Sequence, residues 1–206
     1  GDEAGTAITT GDYNTAVGAN SLSADTLGSR SVALGFNALA VQNFTSATDA
    51  YNVAVGHNAG VSMSTGTNNT LIGGIAGGAN TTASNNTAVG YQALTANTTG
   101  GDNTAVGYES LGSNITGVRS VAVGHGALQQ NTTGSRNVAM GRYALRFGAT
   151  GDDNVAIGDN ALNDNTASDN TAVGASALLQ NTSGSNNTAV GKNALTANTT
   201  GTGNVV

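Results

Sequence analysis

"NTAVGYQALTANTTGGDNTAVGYESL", residues 86–111, says one phrase twice. Asn86-Thr87-Ala88-Val89-Gly90-Tyr91 returns seventeen residues later as Asn103-Thr104-Ala105-Val106-Gly107-Tyr108. The glycine that closes the phrase recurs at Gly18, Gly35, Gly56, Gly73, Gly90, Gly107, Gly124, Gly141, Gly158, Gly174 and Gly191. Successive intervals are 17 residues, except for 21 before Gly56 and 16 before Gly174. Self-similarity at a fixed short period is the mark of a stacked repeat architecture. Residues 1–206 therefore read as a single repeat domain. It carries one insertion near Phe44 to Ala50 and a twelfth copy begun at Asn204-Val205-Val206. A chain that starts Gly1-Asp2-Glu3 and stops inside its own pattern reads as a piece of a longer protein.

Aligned on these glycines, the columns are monotonous. One residue before stands a branched or long apolar residue, as in Val89, Val106 and Val123. Two before stands Ala in every copy but one, where Leu71 replaces it. Three before, Thr and Val interchange. Four after stands Leu, except at Gly60 and Gly77. Thr/Val-Ala-Val-Gly is a short β-branched segment that favours strand. Alternation puts Val and Thr/Val on one face, Ala and Gly on the other. The stretch around Ala-Leu is a second candidate strand, and Asn-Thr-Thr-Gly supplies a turn. A helix is excluded, because every copy carries helix-breaking Gly and Asn.

The fold that follows is all-β, a parallel β-roll or β-solenoid of about eleven 17-residue coils. At a rung spacing of about 4.8 Å it would form a rod roughly 50 Å long. No coil can bury its own apolar face, so stacking must bury it. We expect the Val face to join Leu in a narrow core. The small Ala/Gly face is then expected to pack against neighbouring chains, because a thin coil poor in Leu and aromatics is marginal alone.

Stacking turns columns into ladders. Four before the glycine comes Asn in most copies, including Asn86, Asn103, Asn137 and Asn154. Seven after comes a second Asn row, including Asn80, Asn97, Asn114 and Asn131. Amides repeated at one position can bond along the stack. We read both rows, with Val89, Val106, Val123, Gly90, Gly107 and Gly124, as structural ladders. Five before comes a charged column in which Asp102 should face Arg119, and Arg136 should face Asp153. The column just after the glycine varies most and includes Phe36, His57, Tyr91, Tyr108, His125 and Arg142. It is the candidate exposed binding or interchain column.

Composition narrows the function. Net charge is −6, with only six Lys and Arg, against the clustered basic residues of a nucleic-acid binder. No run of about 18 apolar residues could cross a membrane. There is no Cys. No nucleophile–base arrangement appears, and His57 and His125 lie four rungs apart, roughly 19 Å. We expect no enzyme activity, cofactor or metal. The Thr row also raises ice recognition, although that face is expected to point inward.

The phrase in Asn154-Val155-Ala156-Ile157-Gly158 and Ser120-Val121-Ala122-Val123-Gly124 resembles the head repeats of YadA-like trimeric autotransporter adhesins. The longer form in residues 86–100 is similar to repeats of phage tail fibres and of bacterial surface proteins with a self-cleaving chaperone domain. The likeness covers residues 11–206. It implies a left-handed parallel β-roll, a homotrimer, and an extracellular place on a cell or virion surface. It implies a shaft or adhesive head whose partners would be a host-surface receptor, glycan or matrix protein. The adhesin period is commonly nearer fourteen, and the extra residues here fall in the Asn-Thr-Thr-Gly turn.

Overall fold

A computed structural model describes residues 1–206. It holds no helix. Each coil contributes one three-residue strand to a single eleven-stranded sheet: Thr15–Val17, Val32–Leu34, Val53–Val55, Thr70–Ile72, Thr87–Val89, Thr104–Val106, Val121–Val123, Val138–Met140, Val155–Ile157, Thr171–Val173 and Thr188–Val190. Neighbouring strands are parallel and in exact column register, as in Ala88 beside Ala105 and Ala105 beside Ala122. Register is strongly specified because a slip of one residue would turn every Ala outward. The insertion does not break the stack. Within it Thr48–Asp49 pairs with Gly28–Ser29 as a small second sheet, and Phe44 is buried.

Two expectations are corrected. The first is the facing of the strand. Ala33, Ala54, Ala88, Ala105, Ala122 and their counterparts are fully buried with the Leu column. The Val column looks outward, with Leu34, Ile72, Met140 and Ile157 exposed and Val89, Val106 and Val123 half-buried. The small-residue face is thus the chain's own core. The reason is volume. Leu from the opposite wall crosses the narrow interior, and only Ala on the strand leaves room for it. The exceptions show this directly. Leu71 stands in the Ala column, and its methyls fill the space at Gly60 and Gly77, where an added Cβ would lie 2.8 Å from them. Large and small have exchanged walls, one Leu on the strand standing against two Gly on the facing wall, so that the interior stays filled.

The second correction concerns the Ala-Leu stretch, which is turn. Every Leu in the column is left-handed, with φ between 48° and 54°. That conformation costs a non-glycine residue about 1–2 kcal/mol. Burying a Leu side chain returns about 1.5–3 kcal/mol, so burial wins. These turns still bond from coil to coil. The Leu94 N–H donates to the Ser110 carbonyl at 2.9 Å, and the Leu111 N–H to the Ala127 carbonyl at 3.0 Å. Only 21 of 129 backbone hydrogen bonds lie within strands, so the turns hold most of the rod together.

Both Asn ladders form, by different chemistry. In the first the amide bridges backbones. Asn86 Oδ1 accepts the Asn103 N–H at 3.0 Å, while Asn86 Nδ2 donates to the Gly100 carbonyl at 3.0 Å. Asn137 and Asn154 repeat the motif, with Asn137 Oδ1 accepting the Asn154 N–H at 2.9 Å. The second ladder is amide on amide. Asn97, Asn114 and Asn131 each donate to the Asn one coil back, at 2.8–2.9 Å. Its breaks leave the two buried side-chain polar atoms without a partner, Asn80 Nδ2 and Asn131 Oδ1. Asn80 meets Met63 where the column would place an acceptor. Asn131 meets Gly148 where it would place a donor.

Gly148→Asn should restore the missing donor. A Cβ there would touch the Leu145 side chain at 2.9 Å, but other coils hold both residues. We expect a Tm rise of about 2–4 °C, the equivalent of about 1 kcal/mol in a chain of this size. A fall would mean that Leu145 cannot return to the position its counterparts occupy.

Candidate functional site: an aromatic ladder beside a polar depression

The column after the glycine forms exposed aromatic stacks, and the register of the sheet is what aligns them. Phe36 stacks on His57 with centroids 5.5 Å apart and planes 15° apart. Tyr91 stacks on Tyr108 at 5.7 Å, and Tyr108 on His125 at 5.1 Å. Such pairs contribute about 0.5–1.5 kcal/mol beyond burial. Gly74 separates the two stacks, and the Tyr91 ring leans toward it, 3.2 Å from where a Cβ would sit. Arg142 pairs with Asp159 at 2.8 Å, holding that carboxyl below its usual value, and lies over the Tyr143 ring at 5.4 Å.

The stack ends on a residue from the next column. His125 meets the edge of Tyr143 at 4.9 Å. Tyr143 reaches it by leaning over Gly126, whose added Cβ would lie 2.7 Å from the ring. The Arg146 guanidinium lies over Tyr143 at 4.4 Å and over Phe147 at 4.9 Å. A further cluster sits in the charged column, where Arg30 lies over Tyr13 at 5.0 Å and Tyr51 at 5.8 Å and pairs with Asp49 at 2.9 Å. Of the two ion pairs expected there, Arg136 pairs with Asp153 at 2.7 Å and also reaches Asp152. The other is corrected. Asp102 accepts Asn85 Nδ2 at 3.0 Å, and Arg119 makes no ion pair.

Next to the Tyr91–Tyr108 stack is a surface depression of about 250 Å³, lined by Gln92, Thr95, Glu109, Gly112, Ser113 and Gln129. None of these residues stood out in the sequence. The hollow exists because Gly112 has no side chain where the coils on either side carry Thr95 and Gln129. Gln129 Nε2 donates to the Glu109 carboxylate, and Gln129 Oε1 accepts from Arg146 Nε at 2.8 Å. Glu109 in turn, through hydrogen bonding and its charge, holds the Tyr108 phenol above its ordinary value. A relay from Arg146 through Gln129 to Glu109 therefore orients one wall of the hollow.

No His, Cys, Asp or Glu side chains cluster in a group that could hold a metal ion. No helix is long and apolar enough to cross a membrane. Compared with known protein families, with curated proteins and with solved structures, the chain matches none.

Proposed function

We propose that the chain is a non-enzymatic structural shaft or adhesive head segment of a surface-exposed fibre, built from three copies laid side by side. The observation that carries this reading is the outward face of the eleven-stranded sheet. It presents Val, Leu, Ile or Met on every rung beside a Thr/Val row. The strands alone span roughly 50 Å by 10 Å, on the order of 500 Å² of sheet face, with an unbroken apolar column along it. An exposed apolar stripe on that scale is often an interaction site. Its mates are supplied most economically by identical faces of other copies in a closed assembly. The correction of the strand facing thus moves the expected contact from the Ala/Gly face to the Val/Thr face and leaves its purpose unchanged. The left-handed three-chain roll of the YadA-like heads, exposed on a cell or virion, is the arrangement that the sequence likeness supports.

Light scattering coupled to size exclusion tests this reading. It should give about 60 kDa, three times the chain mass of 20.0 kDa. A clean species of one chain mass would remove the trimer.

A second reading gains from the same facing. With the Thr row outward, ice recognition no longer requires a buried face. However, Val replaces Thr at Val32, Val53, Val121, Val138 and Val155, so no long hydroxyl ladder forms. Thermal hysteresis in a solution of the chain is the result that would favour it.

A further inference from the structure

We infer that the hollow around Gly112 is a binding subsite for one neutral sugar unit of a glycan. The inference does not depend on how many chains assemble.

Size, lining and charge each bear on it. The hollow holds about 250 Å³, just under the roughly 300–1,000 Å³ of pockets for drug-sized ligands. That is room for one small compact unit. Its lining contains no hydrophobic residue, so a group that enters must satisfy the polar side chains around it. The groups offered are mixed. Gln92 and Gln129 carry amides that donate and accept, Thr95 and Ser113 carry hydroxyls that do both, and Glu109 carries a carboxylate that accepts. A ring of vicinal hydroxyls, each a donor and an acceptor, satisfies such a set. A group that only donates or only accepts does not.

Charge then separates a neutral sugar from its charged relatives. An anionic sugar would meet Glu109. A cationic side chain would meet the like charge of the Arg146 guanidinium, held behind Glu109 on Gln129 Oε1. The neighbouring aromatic rings spend their faces on each other at 5.7 and 5.1 Å. They stand next to the hollow without lining it, and so form a stiff rim. The relay fixes Glu109 and Gln129 before a ligand arrives, which lowers the ordering cost of binding.

The column itself supplies the variant that tests the idea. Gly112 has ordinary negative φ, and an added Cβ would touch nothing nearer than the Glu109 carbonyl oxygen at 3.2 Å. Gly112→Thr therefore copies the residue of the preceding coil and fills the hollow once the Glu109 carbonyl gives by a few tenths of an ångström. The probe is a printed array of neutral oligosaccharides ending in hexose, N-acetylhexosamine or deoxyhexose, with sialylated and sulfated glycans and a lysine-rich peptide alongside. The native chain should bind a subset of the neutral glycans and neither charged class. Gly112→Thr should keep the native melting curve and solution mass and lose binding at least tenfold. Glu109→Gln should weaken it while preserving the fold. The inference is overturned if no neutral glycan binds, if anionic glycans or the basic peptide bind instead, or if Gly112→Thr binds as well as the native chain. A failure of the trimer would show in solution mass alone and would leave these outcomes readable.

Discussion

Ala105→Asp is expected to abolish cooperative folding of the rod, whereas Val106→Asp, one residue along, should leave the chain folded and remove its partners. Ala105 is fully buried among Ala and Leu side chains from its own and adjoining coils. A carboxylate there would have no cation and no spare donor, since the nearby ladder amides are already engaged. An unpaired buried charge costs about 3–5 kcal/mol, a large part of the roughly 5–15 kcal/mol that holds a domain together. In a stack whose coils touch only their neighbours, a central defect also uncouples the two halves. Val106 shares the strand but faces outward and is half-buried. Asp there costs about 1 kcal/mol in strand preference and leaves the 27-residue interior cluster intact. Across a face repeated in each partner, however, the carboxylates would oppose one another in an apolar contact. Circular dichroism melting separates the two variants, and light scattering reads the association. A folded Ala105→Asp would mean the interior is misplaced. An unfolded Val106→Asp would return the Val column to the inside.

The facing of that strand shows what the sequence could and could not reveal. Columns spaced seventeen apart disclosed the coil, the register, both Asn ladders and the alignment of Phe36 with His57 and of Tyr91 with Tyr108. All of these follow from translation along one axis. Alternation shows which residues share a face, but not which face is inside. Here the larger residues of the strand lie outside, against the usual expectation, because Leu from the far wall already fills the interior. The exchange of Leu71 with Gly60 and Gly77 was visible as two separate irregularities. Only the packing joins them into one event. The left-handed Leu turns could not be read from propensity, because Leu rarely takes that conformation except where burial offsets its cost. The polar hollow is produced by a side chain that is missing, at Gly112. It shows in the sequence only if the fifth residue after each glycine is read as a column, and that column has a second gap at Gly78, which the Ile75 side chain covers.

Gly107→Ala should be among the most damaging single-methyl changes in the chain, and Gly191→Ala the informative comparison. Both glycines have nearly the same backbone conformation, φ 137° and 133°. Any L-residue would be strained there, at a cost of about 1–3 kcal/mol. Only Gly107 has a neighbour above it. An added Cβ would lie 2.5 Å from the Gly124 carbonyl oxygen and 2.7 Å from its carbon, whereas at Gly191 nothing lies within 4 Å. The contact at Gly107 is backbone, so no rotamer change can relieve it. The two coils must separate, which lengthens bonds such as Gly124 N–H to the Val106 carbonyl, now 2.8 Å, and Leu111 N–H to the Ala127 carbonyl, now 3.0 Å. Overpacking of this kind adds about 1–3 kcal/mol. Gly107→Ala is therefore expected to cost about 2–6 kcal/mol in all, and Gly191→Ala only the strain. Denaturant melts of both variants measure the difference. Equal losses would mean that conformation alone demands glycine in this column. A much larger loss at Gly107 would mean that the closeness of successive coils demands it, which is what a rod held together by turn-to-turn hydrogen bonds requires.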